Sequence, residues 1–101
     1  MTEGMLQNEE LEKAAFILKT IAHPSRLAII NILSTQEWAA VSKISNMLGM
    51  EQSLTSHHLN MMKAKGVLES KREGQSIKYK LKLQEVTQVL SCIEHCDLTH
   101  F

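Results

Sequence analysis

Apolar residues recur every three or four positions through Leu11, Ala14, Ala15, Leu18, Ile21 and Ala22, a spacing that lays one apolar stripe along a helix. His23-Pro24-Ser25 interrupts it, and Pro24 suits the first position of a new helix, where its missing N–H costs nothing. That second helix carries Leu27, Ile29, Ile30, Ile32 and Leu33, a pattern rich enough to be largely buried, and Ser34 to Glu37 read as a connection. A shorter third helix sets Val41, Ile44, Met47 and Leu48 on one face and closes on Gly49, since glycine takes the left-handed conformation cheaply. After a short turn a fourth helix is predicted from about Gln52 to Lys65, with Leu54, Leu59 and Met62 toward the core and Gly66 ending it.

Beyond Gly66 the period changes. Ile77, Tyr79 and Leu81 alternate with Lys78, Lys80 and Lys82, which predicts a half-exposed strand. Val67 to Arg72 supplies its partner across Glu73-Gly74-Gln75, a loop whose glycine suits a hairpin. A last helix begins near Leu83 and carries Val86, Val89, Leu90 and Ile93. The expected fold is therefore mainly α with a small β-hairpin. Two helices joined by a short glycine turn, with a basic hairpin directly behind them, form a winged helix-turn-helix. No linker, repeat or low-complexity tract divides the chain, so 1–101 reads as a single domain for DNA binding and dimerisation.

Composition refines this picture at three points. A chain of 101 residues buries a modest core and gains stability from a partner subunit. No run approaches the ~18 apolar residues of a membrane span, and Met1 to Met5 lack the features of a secretory signal. The expectation is a cytoplasmic protein without a membrane partner, its Cys92 and Cys96 reduced. The zero net charge conceals an asymmetry: Gln52 to Lys82 holds seven basic residues against Glu69 and Glu73, while acidic residues gather toward both ends. A basic middle between acidic flanks points to one face that meets a polyanion.

Three stretches then resemble the ArsR/SmtB family of bacterial repressors. Leu18-Lys19-Thr20-Ile21-Ala22-His23-Pro24-Ser25-Arg26-Leu27 resembles the family's lead-in to its second helix. Gln52-Ser53-Leu54-Thr55-Ser56-His57-His58-Leu59 is similar to the start of its recognition helix. Gly66-Val67-Leu68, Lys71-Arg72-Glu73-Gly74 and Tyr79 resemble its wing. The resemblance implies a homodimer, joined mainly through the first and last helices, that represses from double-stranded operator DNA until an inducer loosens it.

On the fourth helix Gln52, Ser53, Thr55, Ser56, His57 and Asn60 would offer short polar groups to base edges and phosphates in the major groove. The plainer alternative makes them solvated or capping positions. His58 lies toward the Met62 side and reads as partly buried rather than as a base contact. Lys63, Lys71, Arg72, Gln75 and Lys78 would anchor the phosphate backbone whatever its sequence.

The inducer stays open. The family's metalloid site would place cysteines on the third helix, where Ile44 to Leu48 has none. Its zinc site would start the last helix with an Asp-x-His pair, where Leu83-Gln84-Glu85 stands. Cys92, His95, Cys96 and His100 remain a candidate inducer or redox site. They could hold zinc or another thiophilic metal, act as thiols, or be small residues of a dimer seam beside solvated histidines. No cofactor is required and no metal site is assigned. A protein-interaction module without DNA is the competing function. An enzyme is disfavoured, because no nucleophile pairs with His57 or His58 and no phosphate-binding glycine loop is present.

Overall fold

The chain turns sharply at His23-Pro24. His23 caps the second helix by accepting the Ser25 N–H on Nδ1 at 3.2 Å, and Pro24 occupies the first helical position. The computed structural model describes residues 5–96. Its elements run α1 (Asn8–Ile21), α2 (Pro24–Thr35), β1 (Ala39–Ala40), α3 (Val41–Leu48), α4 (Gln52–Ala64), β2 (Leu68–Glu73), β3 (Ser76–Leu81) and α5 (Val86–Glu94).

Gly49 ends α3 in the left-handed conformation at φ 64°, and its neighbour Met50 donates back to the Ser45 carbonyl at 3.0 Å. That closure sets the short turn into α4. The wing closes equally tightly: Glu73 faces Ser76, so Gly74 and Gln75 alone form the loop, with Gly74 at φ 62°.

Three expectations are corrected. The sheet has three antiparallel strands in the order β1-β3-β2, not a lone hairpin, because Ala39 and Ala40 pair with Tyr79 and Lys78. This short pairing pins the start of α3 to the wing. The last helix begins at Val86 rather than near Leu83, since Leu83 to Glu85 form a turn closed by Val86 N–H to the Leu83 carbonyl. Leu54, expected to face the core, is about half exposed, as is Met47 of the apolar face of α3.

The core gathers Ile29 and Ile30 of α2, Ile44 of α3, Leu59 and Met62 of α4, and Leu68 and Leu81 of the sheet, all essentially inaccessible. Each such side chain stabilises the fold by about 1.5–3 kcal/mol. Helix α1 contributes little: of its 14 residues only Thr20 and Ile21 are buried. Leu11, Phe16 and Leu18 stay exposed, and an apolar groove of about 340 Å³ runs between α1 and α5 past Ile17, Leu18, Val86 and Val89. No single helix among the described residues is long and apolar enough to cross a membrane.

Candidate nucleic-acid interface

Helix α4 has two chemically distinct faces. Thr55, His58, Leu59 and Met62 recur at three- and four-residue steps and are all buried. Gln52, Ser53, His57, Asn60 and Lys63 lie on the other side and are exposed, with Ser56 half-buried. Thr55 is thereby a correction. Its side chain is inaccessible, and its hydroxyl donates to the Glu51 carbonyl at 2.9 Å, so it holds the first turn of α4 and cannot reach DNA. The spacing from Thr55 to Leu59 and Met62 was the signal for this. Hydroxyl chemistry concealed it.

Asn60 is tied down as well. Its Oδ1 accepts the Tyr79 hydroxyl at 2.8 Å, joining α4 to the central strand. Burial pushes the Tyr79 phenol up, which keeps it a donor. One end of Asn60 is therefore structural, although the residue remains exposed.

Between α4 and the wing tip lies an open cleft of about 750 Å³. Gln52, Ser53 and Ser56 form one wall, Glu73, Gln75, Ser76 and Ile77 the other, and Val41 and Ser42 of α3 close one side. The structure so brings together Gln52, Ser53, Ser56 and Gln75 from separate elements. Ser42 and Ser76 join them unanticipated, since nothing in their local pattern marks them.

The wing's charges divide by strand face. Arg72 stands opposite Ile77 and Ser70 opposite Tyr79, so Arg72 shares the face that Tyr79 turns toward α4. It makes no ion pair among the described residues. Lys71 stands opposite Lys78 on the other face, a like-charged cross-strand pair that repels unless compensated. Glu73 compensates it, with Oε1 2.7 Å from Lys78 and Oε2 3.6 Å from Lys71. The Lys78 hydrogen bond and the Lys71 charge hold the Glu73 carboxyl below its ordinary range. Lys71 also lies over the Trp38 ring, 4.3 Å from its centroid. Two of the expected phosphate anchors are thus partly neutralised within the protein.

Replacing Glu73 with glutamine should release both lysines. The expected outcome is tighter binding to any duplex and a salt dependence steeper by about one unit of slope, read by titration at several salt concentrations.

At the far end of the fold Cys92 and Cys96 are exposed free thiols one turn apart, and His95 donates through Nδ1 to the Ser91 carbonyl at 2.8 Å. His100 lies outside the described residues. Among the described residues no three His, Cys, Asp or Glu side chains converge to hold a metal ion.

A polar helix face backed by a basic hairpin across an open cleft is how winged helix-turn-helix proteins meet DNA. The profile described as "Bacterial regulatory protein, arsR family" matches residues 23–70, from the cap of α2 into the wing. The HTH-type transcriptional regulator YgaV of Escherichia coli K12 is 32% identical over 95 residues, spanning 94% of this chain and 96% of that one. This chain belongs to the ArsR family. The crystal structure of the transcriptional repressor PagR of Bacillus anthracis is similar to it, with a TM-score of 0.76 at 36% identity over 86% of this chain and 99% of that one. So is the solution structure of the homodimeric winged helix-turn-helix DNA-binding domain Mb0332 of Mycobacterium bovis. It has a TM-score of 0.73 at 26% identity over 92% of this chain and 87% of that one. This ArsR-family protein is accordingly a DNA-binding transcriptional regulator and not an enzyme.

Proposed function

We propose that this regulator is a cytoplasmic homodimeric repressor, with residues 1–101 acting as one domain. Two copies join along α1 and α5 and set their paired α4 helices and wings on successive grooves of operator DNA. The cleft between the polar face of α4 and the wing carries this reading, because Gln52, Ser53 and Ser56 face Gln75 and Ser76 across one concave surface beside the basic wing. The uncovered apolar stripe of α1 and the groove beside α5 support the second copy.

Within the interface the roles divide. Gln52, Ser53, Ser56 and His57 read base edges from the first two turns of α4, with Gln52 suited to a bidentate bond with adenine. Asn60 borders them with its free amide nitrogen. Lys63, Arg72 and Gln75 hold phosphates, and Lys71 and Lys78 add charge once DNA competes with Glu73.

Two substitutions separate these roles. Arg72→Ala is expected to weaken binding to every duplex and to flatten the salt dependence by about one unit of slope. Gln52→Ala is expected to change which sequence is preferred, by about 1–3 kcal/mol per lost base contact. Unchanged binding and slope in Arg72→Ala would remove the wing from the interface.

The repressor reading requires no cofactor. Zinc or another thiophilic metal is the candidate inducer for Cys92, His95, Cys96 and His100, but the described part of this set does not converge on an ion. A repressor that needs no cofactor is expected to keep its dimer mass and duplex affinity under chelator treatment. A native mass measured with and without chelator checks this.

A further inference from the structure

Arg26 joins three helices with one guanidinium. From the first turn of α2 its Nε donates to His58 Nδ1 on α4 at 3.1 Å, and its Nη1 donates to the Thr20 carbonyl in the last turn of α1 at 2.9 Å. His58 is 5% exposed, in the middle of the buried face of α4, and its neighbour His57 stands on the exposed, DNA-facing side. The tie therefore reaches the helix whose polar face reads DNA.

Its chemistry constrains the histidine. A guanidinium only donates hydrogen bonds, so Nδ1 must offer a lone pair and the ring must be neutral with its proton on Nε2. Protonation would place an N–H at Nδ1 against the Arg26 Nε–H and turn an attraction into the contact of two cations. The groups facing His58 from every side add to that penalty. From the α2 cap the His23 ring lies 4.6 Å away, and it accepts the Ser25 N–H on its own Nδ1. Arg26 comes from α2, and on α4 itself the His57 ring is 5.8 Å away. None is a carboxylate. Burial first, then the charges of His23, Arg26 and His57, hold His58 below the ordinary histidine value.

Resting on the DNA-binding reading above, we infer that Arg26 is a positioning residue for α4: through neutral His58 it locks the DNA-reading helix to the junction of α1 and α2, and protonation of His58 undoes the lock. The sign follows from linkage. Above the ordinary histidine value near 6.5 both locked and released states are neutral and the lock is fully present. As pH falls, the released state takes up the proton first, and the lock is lost as pH passes through the lower value of the folded state. Acid therefore lowers discrimination between sequences.

The test titrates the full chain by fluorescence anisotropy with a duplex from its own upstream region and with an unrelated duplex, at about pH 7.5 and about pH 5.5. Wild type is expected to lose preference between these conditions, the duplex from its own upstream region weakening relative to the unrelated one. His58→Asn keeps an acceptor near the position of Nδ1 and does not titrate, so its preference is expected to hold across the same range. Arg26→Met is expected to show the loss already at neutral pH, with its helical circular dichroism intact. If His58→Asn loses preference with acid as wild type does, the inference is wrong, and it is equally wrong if folded Arg26→Met discriminates like wild type. Equal binding of both duplexes by wild type at neutral pH would overturn the sequence-specific reading and this inference with it.

Discussion

Replacing Leu18 with glutamate is expected to leave each protomer folded, to separate the pair, and to lower duplex affinity by about 10²–10⁴-fold, the gain that linked binding sites provide. Leu18 is 51% exposed in the protomer, so the new carboxylate meets water when the chain is alone. In the proposed dimer the same carboxylate would be taken out of water against the partner's apolar stripe, a cost that the exposed Lys13 of the same groove offsets only in part. Neighbouring Ile21, 2% exposed, belongs to the protomer's own core and would be the wrong position for this test. Sedimentation velocity should show the halved mass, and circular dichroism the retained helices. A Leu18→Glu protein that stays dimeric would move the seam away from α1.

A second large effect is expected at Leu59. It is inaccessible and anchors α4 against the core beside Met62, so Leu59→Ala should cost about 2–5 kcal/mol through lost burial and the cavity left behind. Against a typical total of about 5–15 kcal/mol, that is a large share of the stability, visible as a lower denaturant midpoint. Thr55→Val provides the contrast on the same face. It removes a hydroxyl that bonds only the Glu51 carbonyl, so stability should shift modestly and the preferred DNA sequence should not change. A change of sequence preference in Thr55→Val would return Thr55 to the interface.

Elements that announce themselves by period are legible in the sequence alone. The three-and-four spacing of α1, the proline start of α2, the glycine closure of α3 and the alternation in β3 each reappear where the pattern placed them. Strand β1 was not legible, because two alanines carry no period and pair with β3 only through tertiary approach. The interface shows the same division. The exposed face of α4 followed from residue type and position, and Thr55 was misplaced because its chemistry outweighed its spacing. The neutralising role of Glu73 depends on which strand partners meet, and the Arg26–His58 tie spans 32 residues. Neither can be read from a local window. Leu11 and Leu18 illustrate a further limit: the stripe was evident, but periodicity says only that it is covered, not whether its own chain or a second copy covers it.

The most direct measurement is the native mass of the complex formed with a duplex from the chain's own upstream region, in competition with an unrelated duplex at moderate salt. A complex of two chains on one duplex, with the unrelated fragment left free, is the expected result. A single chain per duplex, or equal loading of both fragments, would contradict the paired-helix account.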